Sequence, residues 1–380
     1  MSDRYYRPTF VNVNLDAIRS NFKNIEKLHP NKTVIAVIKA NGYGLGSVNI
    51  AKYLMASGTE FFAVATLDEA IELRMHGIKA KILVLGVVDP KHIRQASRHR
   101  LALTAPDAKW VEDASRYIEA EDKPVWLHIK VDSGMGRIGV QTKQAYDAAV
   151  DKVAAVEQFI FEGVFTHFSS ADEDNTLTEC AYDKFLGIIS DNKPQYIHCQ
   201  NSAATLRYDC SECNAVRLGI SLYGYYPSEF IRAVSNVKLQ PAVQLVSTAC
   251  FIKHIKSGDT VSYGATYTAQ SNQVVATFPI GYADGLPRAM QGYNINLEGT
   301  EVPIIGRVCM DQMMARVPDD TPLGAQCIII DDNADSNQSL ERVAQQLGTI
   351  TYEVLTSLSR RLPKRYYIAD DVEVYNELMK

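Results

Sequence analysis

The chain has 380 residues, 46% hydrophobic and 22% charged, an ordinary balance for a soluble protein and enough sequence for two domains. The net charge of −5 is small and no basic run tracks a phosphate backbone, which excludes nucleic acid as an expected partner. No apolar run approaches the roughly 20 residues of a membrane span, and the first residues lack the apolar core of a signal peptide, so no membrane association and a cytoplasmic location are expected.

Taken from the N-terminus, Thr9–Asn14 is an extended segment that precedes the main pattern and is expected to pair with a later domain. Eight apolar, β-branched runs of strand length follow: Thr33–Ala40, Phe61–Thr66, Lys81–Gly86, Leu101–Ala105, Pro124–Asp132, Ile160–Phe168, Tyr196–Asn201 and Ala215–Gly224. Helix-period segments lie between them, such as Leu67–His76, with Ala70 and Leu73 read as facing in and Glu69 and Glu72 as facing out. Continuous apolar runs indicate strands buried on both faces. Eight such βα units predict a closed (β/α)₈ barrel over residues 14–240. No GxGxxG fingerprint follows the first strand, which disfavours an open dinucleotide-binding sheet.

The pattern changes near Leu239-Gln240-Pro241. Strands then dominate: Val243–Ile255, Asp259–Tyr263, Gln273–Ile280, Ile295–Leu297, Val302–Val308, Gln312–Val317 and Gln326–Ile330, with late helices at Ser339–Leu347 and Tyr352–Leu362. Residues 241–380, joined by the N-terminal strand within 1–13, read as a mostly β second domain. Seven scattered cysteines do not make a disulfide framework. Cys210-x-x-Cys213 follows His198 and Cys199 without a clear four-ligand set, so no metal is expected and the thiols are read as reduced.

A barrel collects its chemistry at the C-terminal ends of its strands. Lys39 ends the first run, Arg137 lies in the loop after the fifth, His167 ends the sixth, Ser202 follows the seventh, and Arg217 lies on the eighth with Gly219 and Ile220 just after it. A lysine at such a strand end either snorkels to solvent or projects into the barrel mouth. In a dry mouth its pKa falls and its amine becomes a nucleophile. Asn41–Gly46 is glycine-rich and is either a tight βα turn or a loop that brings backbone and the Tyr43 hydroxyl to a ligand. Ser202 is either an N-cap or, with the Gly219 amide, part of a phosphate cup near strands seven and eight. The hydroxyl-rich element Val261–Tyr267 and the turns at Tyr282 and Met310 carry no role on pattern alone.

At these residues the chain resembles alanine racemases over nearly its whole length. The matching motifs are Arg7-Pro8-Thr9, Ala36–Gly44, Lys130–Gly139, Thr166-His167-Phe168, Asn201-Ser202-Ala203, Leu222-Tyr223-Gly224, Ser262-Tyr263-Gly264, Gly281–Gly285, Gly306–Gln312 and Tyr352-Glu353. The resemblance implies a pyridoxal 5'-phosphate-dependent fold: a cofactor-binding (β/α)₈ barrel followed by a β domain, working as a homodimer with shared active sites. It implies that Lys39 holds the cofactor covalently and later acts as a base, and that Tyr263 is the opposing base, supplied to the other subunit. Arg217 is implied to face the pyridine nitrogen. Tyr43, Ser202, Gly219, Ile220 and Tyr352 are implied to contact the phosphate, and His167 to support the cofactor. Arg137, Tyr282 and Met310 are implied to bind substrate, and Lys130 matches a position that is sometimes carbamylated. The implied activity is interconversion of L- and D-alanine by two-base proton transfer, supplying D-alanine for peptidoglycan; a racemase for serine, lysine or a broad set of amino acids is the alternative. Gly42 and Leu45 stand where the family often has Ala and His, and Leu218 where proline is common.

Overall fold

In the computed structural model, which describes residues 5–189 and 193–379, the chain divides into two compact units. One comprises Arg19–Gly42 and Ser47–Leu239; the other comprises the N-terminal residues through Ile18, Tyr43–Gly46, and Gln240 onward. The first unit contains the expected closed parallel barrel of eight strands. They are Thr33–Val37, Phe61–Val64, Lys81–Val84, Ala102–Ala105, Val125–Lys130, Phe159–Phe165, Tyr196–His198 and Ala215–Leu218. The last pairs with the first, Ile35 opposite Arg217, and closes the ring. Most strands end several residues before their apolar runs do. Hydrophobicity reports burial rather than pairing: Ile38 and Ile220 are fully buried beyond the last ladder residue, and these overhangs build the rim. No helix among the described residues is long and apolar enough to cross a membrane.

The second unit is mostly β, as expected. Its seven-stranded sheet has the spatial order Thr300–Pro303, Asn294–Leu297, Gln326–Ile330, Val243–Thr248, Thr9–Asn14, Lys364–Ile368 and Asp371–Tyr375. The N-terminal strand sits inside this sheet, antiparallel to Val243–Thr248 and parallel to Lys364–Ile368. Several details differ from the sequence reading. The run Val243–Ile255 is two strands in different sheets, Val243–Thr248 and Phe251–Ile255, because the chain turns at Ala249-Cys250. Asp259–Tyr263 reduces to Thr260–Val261, paired with Tyr267–Thr268, and in place of Val302–Val308 the strand is Thr300–Pro303, which begins two residues earlier. The final hairpin, Lys364–Ile368 with Asp371–Tyr375, was not anticipated, because its charged and tyrosine-rich residues show little apolar run.

Candidate active site

Lys39 lies two residues past the end of its strand, not on it. The backbone then turns left-handed through Ala40 (φ 52°), Asn41 (φ 53°), Gly42 (φ 63°) and Tyr43 (φ 55°). Side chains other than glycine disfavour this region by about 1–2 kcal/mol per residue, and such strain gathers at functional sites. Glu69 holds the turn. Its Oε1 accepts from the Ala40 amide at 2.6 Å, and its Oε2 from the Ala65 and Thr66 amides at 2.8 and 3.2 Å. The expectation that Glu69 faces out is therefore corrected. Thr66 and Glu69 form a capping box on the helix Leu67–Met75, and that geometry turns the carboxylate back toward the rim.

Five cationic or imidazole groups meet at this rim. Arg217 is buried on the eighth strand. Its Nη1 donates to His198 Nδ1 (2.8 Å) and the His198 carbonyl (3.1 Å), and its Nη2 to the Thr166 (2.8 Å) and Cys199 (3.1 Å) carbonyls. His167 Nδ1 lies 3.4 Å from the same Nη2. The Phe165 ring has the Arg217 guanidinium and the Lys130 ammonium each 5.4 Å from its centroid. Burial brings Arg217 down to about 10, still protonated at neutrality. Burial lowers Lys39, and the nearby Arg137 lowers it further, while Glu69 opposes the shift. Lys130 is 1% exposed, and burial with the Arg217 charge brings it down to about 7. Burial and the cations of Arg217, Arg137, Lys130 and Lys39 push His167 well below its ordinary value, so it is neutral.

Arg137 is exposed, and its loop is organised from below. The Asp132 carboxylate accepts from the amides of Gly134 (3.1 Å), Gly136 (3.0 Å) and Arg137 (3.0 Å). Burial alone would raise this acid; those hydrogen bonds and Lys130 hold it below the usual aspartate value. On the next strands the buried Ser202 hydroxyl accepts from the Gly219 amide at 2.9 Å and lies 3.4 Å from the Ser221 amide. The helix there is capped by Asn201, whose side chain accepts from the Ala204 amide. Ser202 is therefore not the N-cap, and its hydroxyl turns instead to the backbone after the eighth strand.

In the β-rich unit Tyr263 is 68% exposed at the tip of the Thr260–Thr268 hairpin. The tip is wound tightly, with Ser262 (φ 68°), Gly264 (φ 73°) and Ala265 (φ 47°) all left-handed. Ser262 Oγ donates to the Arg307 carbonyl at 2.5 Å. At Gly306 a Cβ would come within 2.7 Å of Ser262 Cβ and the Val261 carbonyl, so this approach requires glycine. Val261 and Tyr267 of the hairpin pack on Ile255, Val275 and Ile305, which fixes the base of an otherwise exposed tyrosine. The loops bearing Tyr282 and Met310 are tied together: the Tyr282 amide donates to the Cys309 carbonyl and the Ala283 amide to the Met310 carbonyl, both at 3.0 Å. Both side chains are exposed. Tyr43 is buried, with its ring 6.1 Å from that of Tyr352.

The barrel unit thus brings Lys39, Lys130, Arg137, His167 and Arg217 within electrostatic reach of one another and joins Ser202 to Gly219, with Ile220 next in chain. Sequence reasoning missed Glu69, Asp132, His128, Glu162 and His198 as supporting groups. Thr66-x-x-Glu69 was a legible capping box. His128, Glu162 and His198 were legible as polar residues inside apolar strands, which burial obliges to find partners.

Residues 13–227 match the N-terminal domain of alanine racemase, and residues 242–366 match its C-terminal domain. An alanine racemase of Macrococcus caseolyticus (strain JCSC5402) is 96% identical over 380 residues, covering 100% of both chains. One from Staphylococcus epidermidis is 53% identical over 382 residues, again covering 100% of each. Among solved structures, the alanine racemase of Bacillus anthracis with bound L-Ala-P is 39% identical, with a TM-score of 0.94 and 99% of each chain covered. With both domains matched and full-length identity this high, the chain belongs to the alanine racemase family.

Proposed function

We propose that the protein is a pyridoxal 5'-phosphate-dependent alanine racemase, an isomerase acting as a cytoplasmic homodimer that supplies D-alanine for peptidoglycan. The observation that carries the reading is the rim cluster itself: a lysine of lowered basicity beside a firmly anchored arginine and a serine–amide cup. These donors fit the cofactor. Ser202 Oγ and the amides of Gly219, Ile220 and Ser221 would take the phosphate, with Tyr43 and Tyr352 as hydroxyl contacts. Lys39 Nζ would hold the cofactor covalently, and its lowered pKa favours the neutral, nucleophilic amine.

When bound, the cofactor supplies the electron sink that makes an amino-acid Cα proton removable. Racemisation then needs one proton acceptor on each face. Lys39 Nζ serves one face and the Tyr263 hydroxyl the other, presented to the partner subunit from its exposed hairpin. Arg217 keeps its proton, because a guanidinium at about 10 does not give it up near neutrality. It would therefore face the ring nitrogen of a bound cofactor as a hydrogen-bond donor that does not give up its proton, which would moderate the sink. His167 stays neutral and supports Arg217 and the cofactor. Arg137, Tyr282 and Met310 would hold the substrate, and alanine is favoured over serine, lysine or a broad set. Lys130, at about 7, has a neutral amine at hand for carbamylation, which would make it an anionic partner for Arg137.

The test combines borohydride trapping with chiral analysis. Reduction of the purified protein should fix a pyridoxyl group on Lys39, and incubation with L-alanine should bring it to an equal mixture of enantiomers. Label on another lysine refutes the assignment of Lys39, and L-alanine left unchanged refutes the activity.

A further inference from the structure

A chain of hydrogen bonds runs through the barrel interior from Arg217 to the opposite end of the strands. His198 Nδ1 lies 2.8 Å from Arg217 Nη1, His198 Nε2 lies 2.9 Å from His128 Nδ1, and His128 Nε2 lies 3.1 Å from Glu162 Oε2. The other oxygen of Glu162, Oε1, accepts from Lys81 Nζ. His128 and His198 are fully buried and Glu162 is 3% exposed, whereas the Lys81 side chain is 41% exposed.

The donors along this chain are determined. A guanidinium only donates, so His198 Nδ1 must be the bare nitrogen. A carboxylate only accepts, so His128 Nε2 must carry its proton. The bond between the two rings then runs one way, from His198 Nε2–H to the bare His128 Nδ1. Burial keeps both rings neutral, with His198 well below its ordinary value. Burial works against the Glu162 charge, yet the bonds from His128 and Lys81 hold its pKa low. The backbone is shaped to admit this arrangement. The pairing register shifts between Leu127 and His128, which sets His128 opposite Gly163, and a Cβ at Gly163 would lie 2.2 Å from His128 Nδ1. Phe165 stacks on His198 with ring centroids 4.8 Å apart and fixes its plane.

We propose that Glu162, held by Lys81, is a positioning residue that acts through the tautomers of His128 and His198 to keep an acceptor facing Arg217. Without the carboxylate, the His128 proton is held on Nε2 only from the far end of the chain, by the Arg217 guanidinium acting through His198. If it moves to Nδ1, His198 must accept there, and its own proton then meets the Arg217 guanidinium. The arginine would swing away from that nitrogen. The consequence for turnover rests on the reading of Arg217 as the partner of the cofactor's ring nitrogen; the tautomers do not.

The experiment uses the full-length purified protein with ¹⁵N-labelled histidine. Ring signals are assigned by their loss in His128→Gln and His198→Gln, and the tautomers are read from two-bond nitrogen–proton correlations. Both rings should be neutral with the proton on Nε2; a cationic ring, or a proton on Nδ1 of either, overturns the proposal. Glu162→Gln should weaken the bond between the rings and move the His198 Nε2 proton signal upfield. Lys81→Met frees the carboxylate to pull harder and should move it downfield. A role confined to packing would leave the signal in place in both variants, and that result also overturns the proposal. In alanine turnover, Glu162→Gln should lower kcat on the order of tenfold with KM within about twofold, the pattern of a group felt in the transition state. If Glu162→Gln does not fold, the wild-type tautomers and Lys81→Met still decide. The expected tautomers without racemisation refute the proposed function alone; racemisation with the opposite tautomers refutes the relay alone.

Discussion

Replacing Glu69 by Gln should damage both stability and turnover, because this carboxylate fastens the left-handed turn that follows Lys39. Its two oxygens take three amide hydrogens, from Ala40, Ala65 and Thr66. Glutamine has one oxygen, and its NH₂ would meet an amide N–H at the other end. If the oxygen stays with Ala65 and Thr66, Ala40 loses its acceptor. A hydrogen bond to a charged group contributes about 1.5–3 kcal/mol. Glu69 is half-exposed, so the low end applies, and the two remaining bonds lose their charge assistance; the sum is about 2 kcal/mol. Holding Ala40 and Tyr43 left-handed costs about 2–4 kcal/mol, so the clamp is comparable to the strain it opposes. For a domain of this size the unfolding midpoint should fall by roughly 4–8 °C. Lys39 is the residue before Ala40, and a displacement of about 1 Å can cost about a hundredfold in rate; kcat should fall by about ten- to a hundredfold. Thermal melts followed by circular dichroism, with initial racemisation rates, measure both. Glu72→Gln, one turn along the same helix, is the control and should shift stability by less than about 0.5 kcal/mol. Wild-type melting and turnover in Glu69→Gln would refute the clamp.

Asp132→Asn should cost about 2 kcal/mol and raise KM for alanine, since the loop that carries Arg137 hangs on this carboxylate. The folded Asp132 pKa is depressed, so its contribution is present above the ordinary aspartate value of about 3.9 and is lost as pH falls through the folded value; the stability gap between wild type and variant should close over that acid range, and a gap independent of pH contradicts it. Lys130, at about 7, should give a carbamate signal with ¹³C-bicarbonate at mildly alkaline pH that fades as the amine protonates and is missing from Lys130→Arg; no signal in the wild type rejects carbamylation. Mixing Lys39→Ala with Tyr263→Phe should restore about a quarter of wild-type activity if subunits exchange freely, because half the dimers are mixed and one of their two sites is whole. Proven heterodimers without activity would rule out sharing of Tyr263 between subunits.

The barrel was legible because its strands are buried on both faces over most of their length and read as apolar runs, and because eight such runs alternate with helical segments. Strand ends were not legible. Ile38 and Ile220 are as buried as the residues that pair, and hydrophobicity cannot tell a rim residue from a ladder residue. The last hairpin failed for the opposite reason: Lys364 is buried against Glu377, and its strand carries no apolar alternation. In the site, Lys39, Arg217 and Ser202 could be found because a barrel sends strand ends to one rim. Apart from the capping-box spacing of Thr66 and Glu69, the contacts of the groups that orient them could not be placed from spacing. Glu69, Asp132 and Glu162 act through backbone amides or through two intervening rings, and those contacts depend on a left-handed turn, a loop and a register shift that appear only in three dimensions.

Proton exchange in deuterated water tests most directly whether two different bases serve the two faces of Cα. Wild-type protein given L-alanine should form D-alanine that carries a solvent deuteron at Cα. Tyr263→Phe should lose nearly all inversion yet still exchange the α-proton of one enantiomer, with retention, through Lys39. Inversion at the wild-type rate in Tyr263→Phe, or equal exchange of both enantiomers by it, would contradict the account.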